Sequence, residues 1–82
     1  SEGKRQHDFQ IFPNPSNGLF TIIGPSENYS VEIINMIGKR IYKVDHASDK
    51  QVIDLRDQVN GIYFITIKTE GGKNFNSKIV IR

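Results

Sequence analysis

The sequence predicts an all-β domain, a seven-stranded antiparallel sandwich. Three observations predict it. Short β-type runs recur along the 82 residues, each bounded by Gly, Pro, Asn or Asp. No stretch of useful length carries a helical period. Two of the connections read as hairpin turns, which favours antiparallel pairing.

Ser1 to His7 (SEGKRQH) is charged and without periodicity, and reads as a linker ahead of a domain spanning residues 8–82. Phe9-Gln10-Ile11-Phe12 is the first run. Pro13 and Pro15 stop it, because neither can donate a ladder hydrogen bond. Asn17-Gly18 signals a turn, since glycine takes positive φ at little cost. Leu19 to Ile23 is the second strand, with Phe20 and Ile22 on one face. Gly24 to Asn28 is a loop. Tyr29 to Asn35 is the third strand, with Val31 and Ile33 in phase. Met36-Ile37-Gly38-Lys39 is a hairpin connection in which Gly38 supplies the left-handed residue. Arg40 to Val44 returns as the fourth strand, and Asp45 to Lys50 reads as a polar loop. Gln51 to Leu55 is the fifth. Arg56 to Asn60 crosses over, either irregularly or as one helical turn. Gly61 opens the sixth run, Ile62 to Lys68, with Tyr63, Ile65 and Ile67 on one face. Glu70 to Lys73 is the second hairpin turn, and Phe75 to Arg82 the last strand. Leu55, a crossover and then Gly61-Ile62-Tyr63 matches a tyrosine corner, in which a Tyr hydroxyl returns to upstream backbone and locks the crossover. That makes the predicted sandwich immunoglobulin-like.

Composition bounds the function. With 37% hydrophobic and 24% charged residues the chain is too apolar for a disordered tail. Its length allows one core and a stability of about 5–10 kcal/mol. It has no cysteine, so neither a disulfide framework nor a thiolate metal site is available. The net charge is +2, with eleven basic residues interspersed among nine acidic ones. That is a mixed solvated surface, not the concentrated basic face of a nucleic-acid binder. No apolar run approaches the ~20 residues of a membrane span, so no membrane insertion is expected. The first eight residues hold no hydrophobic export segment. The chain is therefore expected to be intracellular or to derive from a longer precursor.

Chemistry-bearing motifs are scarce. His7 lies in the linker and His46 in a polar loop, and neither sits in a nucleophile arrangement. Asp45, Asp49, Asp54 and Asp57 lack the alternating oxygen pattern, Gly and terminal Glu of a calcium loop. Gly61 and Gly71-Gly72 do not make a phosphate loop, since no GxxxxGK[ST] is present. No catalytic, cofactor-binding or metal-binding residue is assigned, and no enzyme is expected. Three tyrosines and five phenylalanines leave room for a carbohydrate-binding or spacer module attached to a secreted enzyme. Tyr29 and Tyr42 are its candidate stacking rings, though most such rings fill a core.

The order of the signals is more informative than any one of them. Phe12-Pro13-Asn14-Pro15 leads into Ser16-Asn17-Gly18. Val31 to Asn35 follows, with Gly38 behind it. Then come Ile53-Asp54-Leu55, Gly61-Ile62-Tyr63-Phe64-Ile65 and Lys78-Ile79-Val80-Ile81-Arg82. This succession resembles the type A C-terminal sorting domain of the type IX secretion system of Bacteroidetes-type bacteria, over essentially all of Phe9 to Arg82. The resemblance implies an immunoglobulin-like sandwich that is a non-catalytic secretion signal, without cofactor, on a larger cargo protein of the same chain. It implies the type IX machinery and a sortase-like surface peptidase as partners. It also implies transit through the periplasm to the outer membrane surface or the exterior, with a cut at or before residues 1–7.

Within that resemblance two segments are candidates for recognition by the machinery. Pro13 and Pro15 fix φ and hold Phe12 and Asn14 extended, so that Pro13-Asn14-Pro15 is a stiff edge with unpaired carbonyls. Lys78, Ile79, Val80, Ile81 and Arg82 form a terminal strand which, at a sheet edge, would accept a partner strand. Gly18, Gly38, Gly61 and Tyr63 are expected to hold the sandwich that presents them.

Overall fold

The computed structural model describes residues 9–25 and 27–82. The expected linker at 1–7, with His7, and the start of the domain at Asp8 lie outside the described residues. Seven strands follow in order: β1 Gln10–Phe12, β2 Leu19–Ile23, β3 Tyr29–Ile34, β4 Arg40–Ala47, β5 Lys50–Asp54, β6 Gly61–Thr69 and β7 Asn74–Ile81. No helix occurs among the described residues. The crossover before β6 is a turn, with the Gln58 amide donating to the Leu55 carbonyl at 3.0 Å.

The strands form two antiparallel sheets, ordered β1-β2-β5 and β4-β3-β6-β7. Strand period 2 explains how they pack. Tyr29, Val31 and Ile33 of β3 alternate inward, as do Tyr63, Ile65 and Ile67 of β6 and Ile79 and Ile81 of β7. They meet Phe20 and Ile22 of β2, with Ile53 and Leu55, in one buried cluster between the sheets. β4 lies beside β3, in the four-stranded sheet. In constant-type immunoglobulin domains the fourth strand completes the other sheet.

One segment differs from expectation. The sequence predicts a polar loop over residues 45–50, but β4 continues to Ala47 and β5 begins at Lys50. The reason is burial of a single small residue. Ala47 is 1% exposed and pairs with Tyr29. Between the pairs Tyr29–Ala47 and Val31–Val44, β4 carries one residue more than β3, a bulge that breaks the alternation. The connection shrinks to Ser48 and Asp49, with Asp49 left-handed at φ 58°. Its backbone is tied to the β2–β3 loop, accepting from Gly24 at 2.7 Å and donating to Pro25 at 3.1 Å. Gly24 is needed for a close approach: a Cβ there would lie 2.2 Å from the Phe9 ring.

Candidate functional site

The strand register gathers the distinctive residues at one end. Ile34 pairs with Arg40 and Phe64, and Gly61 with Ile81, so the β3–β4 tip, the start of β6 and Arg82 share that end of the four-stranded sheet. Ser16 forms an isolated parallel bridge to Ile81, and the Leu55 amide donates to the Gly18 carbonyl at 2.7 Å. These contacts bring the β1–β2 connection and the crossover to the same end.

Here the two segments singled out in sequence meet. β7 is an edge strand, with β6 on one side. On its other side Asn14 acts as a substitute strand residue. Its Nδ2 donates to the Lys78 carbonyl at 2.8 Å, and its Oδ1 accepts from the Val80 amide at 3.1 Å. Ser16 continues the ladder, donating to the Val80 carbonyl at 2.8 Å and accepting from the Arg82 amide at 2.9 Å. The Phe12–Pro13 and Asn14–Pro15 peptide bonds that flank this contact are both cis. Pro13-Asn14-Pro15 is thus engaged with the terminal strand through Asn14, and the edge from Lys78 to Arg82 already holds four hydrogen bonds from its own chain.

The side chains of that strand divide by face. Ile79 and Ile81 are buried in the core, whereas Lys78 and Arg82 are exposed and Val80 is half-buried. Pro13, Asn14 and Pro15 are exposed. Any surface offered here consists of Pro13, Asn14, Pro15, Lys78, Val80 and Arg82. Ser16, which sequence reasoning treated only as part of a turn, is 4% exposed and central to the junction. Its Oγ accepts from the Gly18 amide at 2.9 Å and donates to the Leu19 carbonyl at 3.0 Å. A Ser directly before Asn-Gly is the signal for such a turn.

The supporting residues are placed as their types require. Gly18 has φ 108°, and a Cβ there would come within 2.9 Å of the Arg56 backbone. Gly61 has φ 153° and Gly38 φ 87°. The Tyr63 hydroxyl donates to the Val59 carbonyl four residues upstream, which is the tyrosine-corner contact. In the hairpin, Asn35 Oδ1 accepts from the Ile37 and Lys39 amides at 3.1 and 2.9 Å. Next to the crossover, Arg56 holds Asp54 through two side-chain bonds at 3.0 and 2.9 Å and one backbone bond at 3.0 Å. These bonds pull the Asp54 carboxyl down to about 2.

The stacking candidates fare differently. Tyr29 is 2% exposed, packed edge-on against Phe9 at 4.9 Å, and its hydroxyl donates to the Asp49 carbonyl at 3.3 Å. Burial pushes its phenol pKa upward. It faces the core because it is in phase with Val31 and Ile33, and no sugar reaches it. Tyr42 is half-buried against the core. Among the described residues no three His, Cys, Asp or Glu side chains gather where a metal ion would sit.

The family model described as a secretion system C-terminal sorting domain matches residues 10–82. An endo-acting ulvan lyase of Formosa agariphila is 27% identical over 77 residues, 92% of this chain. The chain spans 15% of that lyase's length. The match covers every strand of both sheets and the junction of Asn14 and Ser16 with β7, and the chain belongs to the family of type IX secretion C-terminal sorting domains.

Proposed function

We propose that this domain is the export address of a larger cargo protein, and that the machinery reads it at the end where Pro13-Asn14-Pro15 is fastened to β7. The observation that carries the reading is the family match over residues 10–82, which includes both segments. The domain crosses the periplasm with its cargo, leaves through the outer membrane, and is then removed by a sortase-like surface peptidase cutting at or before residues 1–7. Lys78, Val80, Arg82 and the proline pair serve as the recognised surface. Ile79 and Ile81 serve the core. Strand addition at Lys78–Arg82 is disfavoured, since an incoming strand would first have to displace Asn14 and Ser16.

The test fuses residues 8–82 to a signal-peptide-bearing fluorescent reporter in a bacterium with type IX secretion. Export to the surface or medium is expected. A reporter that stays in the periplasm sinks the reading. Deleting residues 78–82 is a poor control because it removes two core isoleucines. Lys78→Ser with Arg82→Ser leaves the core intact and should lower export. Full export of that double variant would remove these side chains from the recognised surface. In the same fusion extended to residues 1–82, a secreted reporter that still carries the whole domain would exclude a cut within residues 1–7.

A further inference from the structure

The three most exposed large hydrophobic side chains lie together. Ile37 is 86% exposed, Val59 79% and Met36 66%. Met36 and Ile37 sit on the β3–β4 tip and Val59 on the crossover. They line one groove of about 270 Å³ together with Ile62 and Tyr63. Isolated exposed hydrophobics need no explanation, but a contiguous set does. Both loops are fastened by hydrogen bonds. Asn35 clamps the hairpin tip with two side-chain bonds and with backbone bonds to Gly38 and Lys39 at 3.0 and 2.9 Å. The Tyr63 hydroxyl clamps Val59. The residues that looked like scaffolding, Gly38 and Tyr63, thus hold apolar side chains out in water.

The register extends this groove onto the outer face of the four-stranded sheet. Ile62 pairs with Val80, and Ile34 with Phe64, which is 40% exposed. Outside the uncharged lining, cations outnumber carboxylates, with Asp57 the acid on the crossover. Lys78 is paired with Phe64 in the sheet, and Lys39 and Arg40 follow the tip. Across that face Glu32 is the neighbouring carboxylate, and it lies 3.4 Å from Arg40.

We propose that the groove between Met36-Ile37 and Val59 is a docking site for a protein with an apolar projection and an acidic rim. Apolar anchors held in place and surrounded by a polar rim are the pattern of a protein interface. Concavity between two clamped loops selects a protruding side chain, and the excess of cations selects carboxylates around it. A fluid lipid surface would also attract the cations, but it needs no concavity. The proposal deepens the sorting reading and rests on it for where the partner is met.

The test uses the full chain. Met36 is its single methionine, so a photoreactive methionine analogue puts a crosslinker at the groove and nowhere else. The labelled chain is illuminated on outer-membrane preparations from a bacterium with type IX secretion. A protein adduct is expected, removed by excess unlabelled chain, with Ile37→Asp about tenfold or more weaker as competitor. Lys39→Glu with Lys78→Glu should weaken competition too, because the rim then repels an acidic partner. Thermal unfolding of each variant checks that it is folded. No competed protein adduct, or equal competition by folded Ile37→Asp chain, overturns the proposal. Adducts to lipid, with binding to phosphatidylglycerol vesicles that Ile37→Asp abolishes, overturn it in favour of a membrane surface. None of these readouts depends on export. A reporter that never leaves the periplasm therefore tells against the sorting reading alone.

Discussion

At the scale of single residues, Asn14 illustrates how little chemistry joins two distant segments. Its amide has one donor and one acceptor in use, both on β7 backbone. Asn14→Ala removes both bonds, and a loss of about 1–2 kcal/mol is expected from urea unfolding. The Val80 amide should then exchange its hydrogen faster, since Asn14 Oδ1 is its acceptor. Asn14→Asp keeps the acceptor but turns an oxygen toward the Lys78 carbonyl, so it should not improve on Ala. An Asn14→Asp variant as stable as the parent would show that the donor half contributes nothing. Asp54 offers a second residue-scale test. Its carboxyl is depressed from 3.8 to about 2, first by the Arg56 side-chain bonds and then by the Arg56 amide. A depressed acid stabilises the fold above its unfolded pKa and loses that contribution as pH falls through its folded one. The contribution of Asp54 is therefore complete above about pH 4 and fades toward pH 2. NMR titration should place its midpoint near 2, and Arg56→Gln should return it toward the ordinary carboxylate range. A midpoint at about 4 in the parent domain would mean that the pair is open in solution.

At the scale of elements, the tyrosine corner couples the crossover to β6. Tyr63→Phe keeps the ring in the core and removes only the bond to Val59. A cost of about 1 kcal/mol is expected, with faster amide exchange confined to residues 56–60. Uniformly faster exchange would instead mean that the hydroxyl supports the whole sandwich. This element was legible in sequence because Gly61-Ile62-Tyr63 follows Leu55 at a recognisable distance. β2, β3 and β6 were legible because their apolar residues alternate cleanly. The end of β4 was not. Its core contact is one alanine in a polar run, displaced by a bulge, and neither fact leaves a period to read. The junction of Asn14 with β7 was hidden for another reason. Its partners are 64 and 66 residues away, and backbone acceptors leave no mark in a sequence. Proline stiffness pointed to an open edge, whereas the asparagine between the prolines closes it.

At the scale of the whole molecule, exposure divides the apolar side chains into two groups. The core is a single cluster between the sheets, and a domain of 82 residues has a small margin to lose. Ile65 is fully buried in β6, between strands on both sides. Ile65→Ala removes buried methyl groups and leaves a cavity, which costs about 2–5 kcal/mol. Against a total of about 5–10 kcal/mol, that takes a large share of the stability. Ile37 is the same residue type at 86% exposure, and Ile37→Ala should change stability by about 0.5 kcal/mol or less. Apolar side chains kept only for folding would put the first substitution's cost in denaturant and leave the second silent in every assay. If the end of the sandwich is a recognition surface, the two separate in opposite ways. Ile65→Ala lowers export by unfolding the domain, and cooling or a stabilising surface substitution elsewhere should restore it. Ile37→Ala lowers export at unchanged Tm, and no gain in stability should restore it. Denaturation midpoints and exported reporter, measured on the same two variants across temperature, decide between these outcomes. An export loss in Ile37→Ala that tracks Tm would reduce the exposed cluster to a feature of folding.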